Sequence, residues 1–133
     1  MNAIAGLPVG AGGIVTTRRL IAANRELVSQ FVRASVDTIA LFKTRPDIVV
    51  PILQRFLQID DRRSVEQLLA HYAPLLQSSP RPTFAAELQQ LQGTVAPKYP
   101  AVSNIKPEDL VDASFVHHLD RTGYIERLYS KAK

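Results

Sequence analysis

The residues able to do chemistry are few and scattered. Thr16-Thr17-Arg18-Arg19 sets two hydroxyls and two guanidinium groups at the expected start of a helix, a pattern that suits an oxyanion. A threonine cap followed by solvated arginines explains the same four residues, and we favour it. His117, His118 and Asp120 look like a ligand set. On a helix, however, only His117 and Asp120 share a face, and His118 points about 100° away. The HExxH pair of histidines at i and i+4 is missing. His71 stands alone beside Tyr72 and reads as a locally bonded histidine. Asp60-Asp61 reads as a helix cap rather than an acid pair, with Arg62 and Arg63 alongside. No metal site, cofactor site or catalytic constellation emerges, and the chain is read as a non-enzyme.

Other motifs fail for want of context. There is no GxSxG elbow and no glycine-rich phosphate loop ending in Lys-Ser or Lys-Thr. Gly10-Ala11-Gly12-Gly13 precedes an extended run instead of leading from a strand into a helix, so it fails the dinucleotide context. With no cysteine in 133 residues, disulfides, thiolate zinc sites and cysteine nucleophiles are excluded.

The elements that must carry these residues are mainly helical. A length of 133 residues, with 46% hydrophobic and 21% charged residues, suits one soluble globular domain. Residues 1–17 form an uncharged, glycine-rich connection ending in Ile14-Val15-Thr16-Thr17, whose β-branched run predicts the chain's single strand. Such a strand needs partners that the rest of the chain does not offer. The uncharged start lacks the positive flank of a secretory signal, so no signal peptide is read there.

Residues 18–133 read as a helical bundle. A short helix is expected over Arg18 to Ala23, and Asn24 caps a long amphipathic one over Arg25 to Lys43. The core side of the long helix should be Leu27, Val28, Phe31, Val32, Ser35, Ile39 and Phe42. Pro46 to Leu57 carries Ile48, Val49, Ile52, Leu53 and Phe56, and Pro51 should kink it. Asp60 or Asp61 caps a helix reaching about Gln77, with Val65, Leu68, Leu69, Tyr72, Leu75 and Leu76 inward. After a Ser78–Pro82 loop, Thr83 caps a helix with Phe84, Leu88, Leu91 and Val95. Lys98 to Lys106 is a connection, and Pro107-Glu108-Asp109 opens a short turn. Asp112 caps a helix over Ala113 to Arg121, Gly123 ends it in the left-handed region, and Tyr124 to Tyr129 packs through Ile125 and Leu128.

The net charge is +4, and nine basic against five acidic residues lie before Ser64. The basic residues are interleaved with acids and lack an aromatic platform, so nucleic-acid binding is not expected.

Several stretches carry a resemblance. They are Gly12-Gly13-Ile14-Val15-Thr16-Thr17-Arg18 before Ile21 and Asn24, then Phe31-Val32-Arg33-Ala34. The most specific is Pro107-Glu108-Asp109-Leu110-Val111-Asp112, Ser114-Phe115-Val116, Leu119, Gly123-Tyr124-Ile125 and Leu128-Tyr129. In this order the chain resembles the carboxy-terminal part of the nitrate/sulfonate/taurine-type substrate-binding proteins of ABC transporters, which include binders of thiamine-pyrimidine precursors.

The resemblance implies a type II periplasmic binding protein, a clamshell of two α/β lobes that delivers a small solute to a membrane permease. This chain would supply its mainly helical last part. A signal peptide and most ligand contacts would lie in segments not present here, and the location would be the periplasm or cell envelope. Thr16, Thr17 and Arg18 match the family pattern as framework near the hinge and are the weak ligand-binding candidates. With the partner strands missing, an exposed apolar face would invite self-association. A standalone helical module that docks a protein or a second copy is the alternative reading.

Overall fold

The computed structural model describes residues 14–80 and 84–130. Eight α-helices occur among them: α1 (Arg18–Ala23), α2 (Arg25–Thr44), α3 (Pro46–Leu57), α4 (Arg62–Tyr72), α5 (Phe84–Val95), α6 (Pro107–Leu110), α7 (Ser114–Arg121) and α8 (Tyr124–Ser130). The mainly α architecture expected from periodicity is therefore present. The strand expected at Ile14–Thr17 is not: these residues take no regular secondary structure. The β-branched run favours an extended chain, but no second strand exists among the described residues to pair with it.

The chain divides into two compact units, Met1–Thr17 with Pro82–Ala113, and Arg18–Arg81 with Ser114–Lys133. In the first, α5 buries Leu88. The Gln92 side-chain amide donates to the carbonyls of Val102 at 2.9 Å and Ile105 at 2.8 Å. These bonds pin the 3-10 turn Pro100–Asn104, where sequence predicted only a connection.

The second unit is built on α2. Its middle meets α7 and α8 in a cluster of Val36, Val116, Leu119 and Ile125, with Val32, Tyr124, Leu128 and Tyr129 packed alongside. Its end meets α3 and α4 in a second cluster of Val49, Val50, Val65 and Leu69, joined by Phe42, Leu53, Ile59 and Ala73. The expected core side of α2 holds in part, since Val32 and Phe42 pack on the clusters. Val36 and Ala40 are its buried residues, whereas Leu27 and Phe31 are 57% and 56% exposed. Apolar residues on α2 cover more than one stripe, and neighbours cover the expected Val32 with the unexpected Val36 and Ala40 but not Leu27 and Phe31.

Helix ends follow local chemistry. Asn24 stands at the N-cap of α2 without a side-chain capping bond. Pro46 opens α3, and the helix runs through Pro51 despite the lost donor. Gln58 ends it in the left-handed region at φ 54°, a conformation that costs a non-glycine residue about 1–2 kcal/mol. Asp61 caps α4 by accepting from the backbone N–H groups of Arg63 and Ser64 and from the Ser64 hydroxyl. Helix α4 stops at Tyr72, short of the expected Gln77. Pro74 turns the chain into a 3-10 turn, Ala73–Leu75, and has no N–H to continue an α-helix. The Lys43 ammonium group takes up the freed carbonyls, donating to Ala73 at 3.0 Å and Leu76 at 2.7 Å. Gly123 adopts φ 68° between α7 and α8, as its position predicts.

Two outcomes test this packing. Val36→Ala should cost about 2 kcal/mol in urea unfolding, because it removes fully buried methyl groups. Leu27→Ala should stay within about 0.5 kcal/mol. Asp61 is held below the ordinary carboxylate range, chiefly by the Ser64 hydroxyl and then by the Ser64 and Arg63 N–H groups. Its folded pKa is depressed, so its contribution is complete above about pH 4 and disappears as pH falls through the folded value. Asp61→Asn should keep a cap while flattening that acid limb in a pH series of melting temperatures.

Candidate functional site

None of the sequence-predicted chemical groups assembles into a catalytic or metal site. Thr16, Thr17 and Arg18 are all exposed, and Arg18 opens a helix only six residues long. His117 and His118 are exposed on α7, while Asp120 accepts the Ser79 hydroxyl at 3.0 and 2.9 Å. That bond ties the loop after α4 to α7. His71 is exposed and meets Tyr72 edge to face at 5.0 Å. No group of three His, Asp or Glu residues able to hold a metal exists among the described residues. None of the described helices is long and apolar enough to cross a membrane.

Polar side chains of the second unit serve instead as clasps between distant segments. Arg25 donates to the Ser114 hydroxyl at 2.9 Å and lies 4.5 Å from the Phe115 ring centre. The Tyr124 hydroxyl donates to Asp37 at 2.7 Å, and the Arg33 guanidinium covers its ring at 4.4 Å. These contacts hold α7 and α8 on α2.

The feature that stands apart is the outward face of α3. Seven of its twelve residues are Ile, Val, Leu or Phe, too many for one buried stripe. Val49 and Val50 turn inward, which leaves Ile48, Ile52 and Phe56 along one row, 38%, 60% and 81% exposed. Sequence reasoning marked all three as apolar positions of the helix without saying which face they take; the excess of apolar residues on a short helix was the available signal.

Beside that row runs a second, Asp47, Pro51 and Arg55, all exposed. Arg45 grips Asp47 through two bonds of 2.9 and 2.8 Å and lowers its carboxyl pKa below the ordinary range. Asp47 is thus anionic at neutral pH. Arg55 lines an open polar depression with Pro51, Gln54, Gln58, Ile59 and Asp60. Such a depression lacks the enclosing apolar walls of a small-molecule pocket.

No family model, curated protein or solved structure matches this chain.

One buried group invites a direct test. The Tyr129 hydroxyl is sealed from solvent with no hydrogen-bond partner among the described residues. An unmet buried polar group costs about 1–3 kcal/mol. Tyr129→Phe should therefore leave chemical stability unchanged or raise it by about 1 kcal/mol, where most aromatic truncations lower it.

Proposed function

We propose that this chain is the helical carboxy-terminal part of a periplasmic-type ABC-transporter substrate-binding protein, a non-enzymatic carrier of a small solute. The carrying observation is the bared apolar surface: Leu27 and Phe31 on α2, and Ile48, Ile52 and Phe56 on α3. Helices that normally cover a sheet keep such rows when the sheet is elsewhere. The segment of closest resemblance, Pro107 to Tyr129, spans α6, α7, the left-handed Gly123 and α8. On this reading the solute is a sulfonate, nitrate, taurine or pyrimidine-like molecule, and a membrane permease receives it from the long form in the periplasm. Thr16, Thr17 and Arg18 then act as framework near the hinge, and this part alone holds no cargo.

A second reading is a standalone helical module that self-associates. It is favoured by one observation, the exposed Phe56 at the end of a continuous apolar row.

The codons upstream of Met1 in the source genome distinguish the two. The transport reading expects an open frame encoding two α/β lobes; a stop codon just before Met1 overturns it. The cargo assay follows. The 133-residue chain should show no shift in melting temperature with taurine, nitrate, an alkylsulfonate or an aminopyrimidine. The long form should gain about 2.7 kcal/mol from its own solute at about one hundred times Kd. A clear shift in the short chain would contradict the proposal.

A further inference from the structure

We propose that α3 is a self-pairing surface: two copies of this chain meet antiparallel through Ile48, Ile52 and Phe56, with Asp47 of each copy facing Arg55 of the other. The inference rests on the second reading above and names the face and the register. Residues 48, 52 and 56 stand four apart, so they form one ridge about 12 Å long. A two-fold axis through Ile52 sets Phe56 of one copy on Ile48 of its mate and Ile52 on Ile52. The same rotation keeps the neighbouring row, Asp47, Pro51 and Arg55, on one side of the pair. Its acidic end then lies opposite the mate's basic end, twice per dimer.

The charges choose this arrangement over others. In a parallel two-fold pair the rows Asp47, Pro51 and Arg55 would lie on opposite sides, and neither charge would meet its opposite across the contact. A uniformly acidic or basic partner would satisfy one end of the row and be repelled by the other. An anionic membrane would meet the Asp47 carboxylate beside a single cation from that row. Arg55 has no partner among the described residues, whereas the side chain that Asp47 bonds is Arg45, two residues away. A carboxylate can accept a further guanidinium without giving up the first. Ile48, Ile52 and Phe56 would bury on the order of a few hundred Å² per copy, at the low end for specific interfaces. The association is therefore weak and shows itself through concentration.

Sedimentation equilibrium on the full chain tests the proposal. The average mass should rise with concentration from 14.7 kDa toward twice that value. Ile52→Asp should hold it at the monomer value, with helix content checked by circular dichroism. Asp47→Arg alone and Arg55→Asp alone should each weaken association by about tenfold or more. Mixing those two variants in equal amounts should restore it, because each mixed interface carries two pairs of opposite charge.

A mass fixed at 14.7 kDa at all concentrations would overturn both the inference and the self-association reading. A rising mass that ignores Ile52→Asp would overturn the inference while leaving self-association through another face. Failure of the mixed variants to recover would overturn the antiparallel register.

Discussion

Helix α2 is the constraint on which the larger unit depends, because one helix must serve two hydrophobic clusters made by distant parts of the chain. Val36, at its centre, is completely buried against α7 and α8, while Phe42, near its end, reaches the α3–α4 cluster. Ala40, between them in sequence, is buried as well. The α7–α8 segment arrives about eighty residues after its partner on α2. Fixing such a long loop costs chain entropy that local contacts cannot recover. Apolar burial offsets much of it, and the Tyr124–Asp37 bond and the Arg25 and Arg33 ring contacts fix the register.

That dependence explains which features were legible in the sequence. Helix existence was, since it follows from residue spacing and stop signals. Asp61 caps α4, Pro46 opens α3 and Gly123 turns left-handed, each where residue type predicts it. Those roles are local. The choice of buried stripe was only partly legible: Val32 was expected inward, but Leu27 and Phe31 are as apolar as the buried Val36. Only the placement of α7, far along the chain, selects between the two sets. The left-handed end of α3 was hidden for another reason. Gln58 fills a position where glycine would be the signal, and tertiary packing must supply the energy that its side chain forfeits.

The chemical candidates fared differently from the apolar ones. Asp120 turned out to be a tether, as did Arg25, which was not among the candidates, and the histidines are exposed. Each polar group was visible in the sequence, but its partner lay dozens of residues away, so its task could not be read from spacing. The α3 row is the converse case. Its residues were recognised as apolar but not as exposed, since periodicity counts apolar positions and cannot count the neighbours available to cover them.

Both functional readings start from those uncovered rows and differ in what covers them. A sheet face would be apolar and largely uncharged along its centre, and would ask only that the helix present a smooth hydrophobic stripe. The rows on α3 ask for more. An exposed acid and an exposed base lie eight residues apart on the same flank, with Pro51 between them. Against an uncharged surface Arg55 would lose water without gaining a partner, and Asp47 would keep only the Arg45 beside it. Against a two-fold copy of themselves they gain one. The polar flank, more than the apolar ridge, is therefore where the two readings of α3 part, while the bare Leu27 and Phe31 of α2 are open to either.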